Sequence, residues 1–259
     1  MTLAAPAVAR TVFGTGLPVT VFAHGIGGSA AETRPLAARA PGTRVLLDFR
    51  GHGGSPALPD GWDYDLLADD LLQVADDVGA TAAVGLSLGS GALLRALTRD
   101  PRRFERLAFV LPAALDQPAE PAAQARVERL RAAIDAADED AVAALLLEEV
   151  PERLRGRTGA GLLIGRRARS LAGRRPPPPR DDSLPVPSLG VLAEVTAPAL
   201  VVGQAEDQVH PLALAAALAA ALPAGRLLAL PPGGLFWTAT RQVQDALADH
   251  LSLEVPCVT

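Results

Sequence analysis

The chain has no lysine: all 24 of its Lys-plus-Arg residues are arginine. It has one cysteine, Cys257, so no disulfide can close within it, which fits a reducing compartment. No basic segment followed by an apolar run opens it, so a secretory leader is not expected and the cytoplasm is the expected location. Its longest apolar run, from Pro211 to Leu222, is alanine-rich and too short to cross a bilayer, which argues against a membrane partner. With a net charge of −5 and no basic stripe interleaved with aromatics, a nucleic-acid partner is not expected either. Arginines do crowd locally at Arg153, Arg155, Arg157, Arg166, Arg167, Arg169, Arg174 and Arg175. Acidic residues flank that stretch, and a solvated helical face explains it better than a phosphate site. No metal or cofactor is implied.

What is present describes a globular chain. At 259 residues, 49% hydrophobic and 20% charged, it can bury one large core. The abundance of Ala, Pro and Gly resembles a GC-rich bacterial coding bias. Short β-branched runs alternate with longer amphipathic segments, the pattern of a parallel sheet covered by helices. Strands are expected near Val19–Ala23, Arg44–Asp48, Ala82–Leu86, Leu107–Leu111, Ala199–Val202 and Arg226–Leu230, with Val8–Phe13 as an antiparallel edge. Helices are expected over Tyr64–Val78, Ser90–Thr98, Pro211–Leu222 and Thr240–Leu251. From about Pro112 to Val195 the alternation stops. Helix-forming runs at Gln124–Ala137 and Asp140–Glu149 give way to Pro176–Pro179 and Pro185–Pro187, where helices cannot continue. The stretch reads as an insertion between two core strands.

Five motifs carry the chemistry. Gly85-Leu86-Ser87-Leu88-Gly89 fits G-x-S-x-G and sits between a strand and a helix, the context in which that motif presents a serine above a sheet. His24-Gly25-Ile26-Gly27-Gly28-Ser29 follows the strand at Val19–Ala23. Asp48-Phe49-Arg50-Gly51-His52-Gly53-Gly54-Ser55 ends the next one. Val201–Pro211 follows a strand with Asp207 and His210 in its loop. Pro231-Pro232-Gly233-Gly234-Leu235-Phe236-Trp237 precedes the last helix.

In this order the motifs resemble those of the α/β-hydrolase superfamily, over nearly the whole chain. The resemblance implies a mostly parallel sheet flanked by helices. It implies a core domain of residues 1–112 and 196–259, and a helical lid of residues 113–195. Ser87 would be the nucleophile, Asp207 the triad carboxylate, and the backbone N–H groups of Ile26 and Leu88 the oxyanion hole. His24 would brace the oxyanion loop, and His52 would belong to a scaffolding turn. Gly25, Trp62, Leu235, Phe236 and Trp237 would line a pocket, although Trp62 and Tyr64 could instead seal the core. The family pattern places the general base after the two glycines, and there this chain has Leu235. Of the remaining histidines, His250 would face away in the final helix, and His210 would be a relocated base or an ordinary capping residue.

A serine without a base is a weak nucleophile. An oxyanion hole would still stabilise an enolate as it does a tetrahedral intermediate. The preferred expectation is thus a non-hydrolytic tailoring enzyme, an epimerase or isomerase moving a proton next to a carbonyl in a small-molecule or peptide substrate. Its missing histidine resembles the triad-less group that contains the bottromycin peptide epimerase. The alternatives are a serine esterase, lactonase or thioesterase with an unusual base, and a ligand-binding protein on an inactive hydrolase fold.

Overall fold

A computed structural model describes residues 8–252 except 59, 119, 175, 181 and 182. The readings placed on Arg175 and Cys257 lie outside the described residues. In chain order the elements are β1 (Arg10–Phe13), β2 (Val19–Ala23), α1 (Ala30–Ala37), β3 (Thr43–Leu47), α2 (Tyr64–Val78), β4 (Ala82–Leu86), α3 (Leu88–Arg99) and β5 (Arg106–Val110). There follow α4 (Pro121–Asp135), α5 (Glu139–Leu147), α6 (Glu152–Arg155), α7 (Thr158–Arg174), β6 (Ala199–Gln204), α8 (Leu212–Ala221), β7 (Gly225–Leu230) and α9 (Thr240–Leu251).

Among the described residues seven strands form one sheet in the order β1-β3-β2-β4-β5-β6-β7. Of these β1 runs antiparallel, pairing with β3 at the edge, and the other five pairings are parallel. Parallel strands need crossover connections, so helices cover both faces and successive residues of each strand enter different cores. Val21 and Phe109 pack with α2, α3 and α8 on one face. Phe22 and Ala108 pack with α1 and α9 on the other. Phe22 and Phe109 are fully buried, each worth about 2–3 kcal/mol of transfer free energy. The order reverses direction between β2 and β4, and ligands of such sheets collect beyond the carboxyl ends of the strands at that point.

Local chemistry explains the element boundaries. Asp63 caps α2 by accepting the Leu66 N–H at 2.7 Å, and the helix ends at Gly79 in the left-handed conformation. Helix α3 starts one residue after Ser87. The tight strand-to-helix turn needs both flanking glycines: a Cβ on Gly85 would strike the Gly89 carbonyl, and one on Gly89 would strike the Ala23 carbonyl.

Helices α4–α7 lie between β5 and β6 with an apolar cluster of their own, built on Ile134, Val142, Leu146, Ile164 and Leu171. Helix α1 was not anticipated: it contains Pro35, which reads as a breaker in sequence. Helices α6 and α7 carry the arginine-rich stretch. Among the described residues no helix is long and apolar enough to cross a membrane.

Candidate active site

The residues expected to form a site come from four loops at the carboxyl ends of the strands. Ser87 occupies φ 49°, ψ −108°, the strained geometry that lifts a nucleophile off a strand end. Its own N–H is donated to the Val110 carbonyl at 2.9 Å, so the turn is pinned to β5. Leu88 takes the first position of α3, where a helical N–H has no acceptor within its helix and is left for a ligand.

The loop after β2 is braced from below. Phe49 N–H donates to His24 Nε2 at 3.1 Å, which leaves the proton on Nδ1, donated to the Gly25 carbonyl at 2.7 Å. Burial lowers the His24 pKa from 6.5 to about 4, so the ring is a neutral strut. The turn after β3 works alongside it. Asp48 accepts the N–H of Ala30 at 2.5 Å and of Gly54 at 2.8 Å, joining α1 to the turn. Arg50 pairs with buried Asp70 of α2 at 2.6 Å. The His52 ring lies 5.0 Å from that of His24, and burial, together with the repulsion the two rings would feel if both were protonated, lowers its pKa to about 4.

The decisive geometry lies in the loop after β6. His210 Nε2 stands 3.0 Å from Ser87 Oγ. His210 Nδ1 stands 3.1 Å and 3.2 Å from the two carboxylate oxygens of Asp207. With Nδ1–H donated to the carboxylate, Nε2 is the acceptor for the serine proton. Asp207 Oδ1 also accepts the N–H groups of Val209 and His210, each at 2.9 Å. Burial alone would raise the Asp207 pKa, but the hydrogen bonds and charge of His210 and the Val209 N–H more than offset it and hold the group ionised. Glu206, at φ 60°, turns the chain into this loop. Asp207 is therefore not the cap of α8, whose first position is preceded by Pro211 without a side-chain cap.

The expectation of a site without a base is thereby corrected. The chain has no histidine at position 235, yet an imidazole joins Ser87 to Asp207 from the other loop. Leu235 is 2% exposed and packs with Val202 and Leu230 on one face of the sheet. It opens a π-helical turn, Leu235–Ala239, in which Trp237 reaches the apolar cluster of the inserted helices.

A cavity of about 540 Å³ opens above Ser87. Gly25, Ile26, Leu235, Phe236, Trp237, Asp207 and His210 line it, and α4 and α7 supply its far wall. Trp62 is the exception. It packs edge-on against Tyr64 at 5.5 Å in the core, and its backbone bonds the Pro178 carbonyl and the Arg180 N–H. It fastens the end of the insertion and does not line the cavity. His250 donates to the Leu107 carbonyl at 2.8 Å, far from these loops in the sheet, which agrees with its expected place. Several wall residues had no sequence signal, among them two charged ones, Glu32 of α1 and Arg126 of α4, the latter buried and paired with Glu148 and Glu149. Neither belongs to a motif, and only the folded cavity reveals them.

Residues 20–250 match the model of the alpha/beta hydrolase family. The chain is 37% identical over 106 residues to the non-heme chloroperoxidase CPO-A1 of Kitasatospora aureofaciens, a match taking in 39% of this chain and 38% of that protein. Among solved structures it is similar to the enol-lactonase of Burkholderia xenovorans LB400, with a TM-score of 0.75 at 19% identity, covering 94% of this chain and 96% of that one. It is also similar to a thermophilic esterase from Thermogutta terrifontis, with a TM-score of 0.70 at 20% identity, covering 95% and 94%. At such identities the structures speak for the fold. The strand order, the serine turn, the braced loop and the family match agree, and the chain belongs to the alpha/beta hydrolase family.

Proposed function

We propose that this chain is a serine hydrolase that cleaves an ester-type bond (ester, lactone or thioester) through an acyl-enzyme, with His210 as its base. The observation that carries the reading is the contact of His210 Nε2 with Ser87 Oγ at 3.0 Å, with Nδ1 held by Asp207. A positioned imidazole turns a weak hydroxyl into a nucleophile.

Ser87 Oγ attacks the substrate carbonyl carbon as His210 Nε2 takes its proton. The carbonyl oxygen becomes an anion facing the N–H groups of Ile26 and Leu88, each such donor being worth about 3 kcal/mol in the transition state. The carbon–oxygen or carbon–sulfur bond breaks, and the leaving group takes the proton from His210. Water then attacks the acyl-serine with His210 again as base, releasing the acid and restoring Ser87. Asp207 keeps the imidazole in the required tautomer and stabilises its cation. The inserted helices, residues 113–195, serve as the lid that sets the substrate's shape. An epimerase or isomerase, preferred from the sequence, had the missing base as its main ground, and the His210 contact removes that ground.

The test is labelling by a fluorophosphonate probe, read by intact mass, with Ser87→Ala as the control. Rapid labelling of the native chain is expected. His210→Ala should slow it by at least about a thousandfold. A native chain that resists the probe but exchanges deuterium into a bound carbonyl ligand would return the choice to proton transfer. One that does neither would be a binding protein.

A further inference from the structure

Beside Ser87 the cavity wall carries a carboxylate that acyl transfer does not use. Glu32 lies in the first turn of α1, its side chain 15% exposed. Its Oε2 accepts the Gly25 N–H at 2.9 Å. The same oxygen fills the place a Cβ on Gly28 would need, so the glycine leaves room for the carboxylate. The point where a Cβ on Gly25 would stand is 3.3 Å from Glu32 Oε2 and 3.4 Å from Ser87 Cβ, so this charge lies close to the nucleophile. The other oxygen, Oε1, is bound at 3.0 Å by Arg167 of α7, which lies 135 residues later in the chain.

Glu32 does two opposed things. It braces the loop after β2 by tying down the Gly25 N–H, one residue before the cavity-lining Ile26. It also places a negative charge where the reaction develops another, and like charges at this range oppose each other strongly in a partly buried site. Arg167 supplies the counter-charge, and it comes from the inserted helices, not from the core that bears the loop. The neutral His24 ring already holds this loop at the Gly25 carbonyl, and Asp48 holds the start of α1.

We propose that Glu32 and Arg167 are a positioning pair: Glu32 sets the oxyanion loop, Arg167 cancels its charge, and the hole reaches full strength only with α7 seated across the cavity. The proposal rests on the acyl-transfer reading of Ser87 and His210.

The experiment is a charge-repair cycle on the rate of Ser87 labelling, resolved into probe affinity and the maximal rate of bond formation. Arg167→Met should lower the maximal rate about tenfold while changing affinity little, because the uncancelled charge opposes the transition state and not the ground state. Arg167→Lys should restore most of it. Glu32→Gln keeps an acceptor for the Gly25 N–H and should label within about threefold of the native rate. Adding Glu32→Gln to Arg167→Met should rescue the rate to that of Glu32→Gln alone, which loss of a merely structural contact would not do. Native-like rates for Arg167→Met, or a double variant no faster than it, would overturn the pairing and leave the acyl-transfer reading standing. A native chain that does not label would overturn both.

Discussion

Acidification should destabilise this fold well above the range where carboxylates titrate. His24 and His52 are buried, and their pKa values are lowered from 6.5 to about 4. In the unfolded chain both take up protons below about pH 6.5, whereas in the native state they stay neutral until about pH 4. The unfolded state binds more protons in that window, so stability is complete above pH 6.5 and is lost as the pH falls toward 4. Between pH 7.5 and 5.0 each ring passes through about 1.5 units of the window, or about 2 kcal/mol at 1.36 kcal/mol per unit. The pair then costs about 4 kcal/mol, a large share of the roughly 5–15 kcal/mol that holds a domain together. His250, whose pKa burial also lowers, acts in the same direction. Urea unfolding followed by tryptophan fluorescence at the two pH values measures the difference, and His52→Gln should remove about half of it. An unfolding free energy that does not change between pH 7.5 and 5.0 would refute burial of neutral rings as the basis of the loop's brace.

Three further outcomes follow from the geometry. Asp207→Asn removes the carboxylate that fixes the His210 tautomer, and turnover of an activated ester should fall by roughly 10⁴-fold with the fold retained by circular dichroism. Leu235→His should give no gain in Ser87 labelling, because the base position on Ser87 is already filled. It should also lower the urea midpoint by an amount worth about 2–4 kcal/mol, since a buried apolar contact is exchanged for an unpaired polar ring. Asp63→Ala should cost about 1 kcal/mol in the same unfolding assay through loss of the α2 cap, with no change in the labelling rate.

The sheet was legible because its strands are short, largely apolar runs, most of them ended by a glycine-bearing motif, and β2, β4, α2 and α9 have the bounds the residues implied. The serine turn was legible for a related reason: two glycines whose missing side chains admit neighbouring carbonyls leave a local signature. Helix α1 was not, since Pro35 inside it reads as a stop. The role of His210 was the harder loss. A histidine three residues after an aspartate and just before a proline has an ordinary capping explanation in one dimension. Its reach to Ser87 depends on the left-handed turn at Glu206 and on how far β6 stands from β4 across the sheet. Trp62 was ambiguous because burial in a core and burial in a pocket wall demand the same side chain. Its backbone pairing with 178–180 decides between them.

Asp207 and His210 stand in one short loop, three residues apart in the chain. Under the acyl-transfer reading, the loop at 231–237 is thereby released from proton chemistry. Leu235, Phe236 and Trp237 can change size and shape without breaking the relay that activates Ser87. On that reading selectivity and reactivity fall to separate loops, so a lineage or a designer could retune one while leaving the other's chemistry untouched.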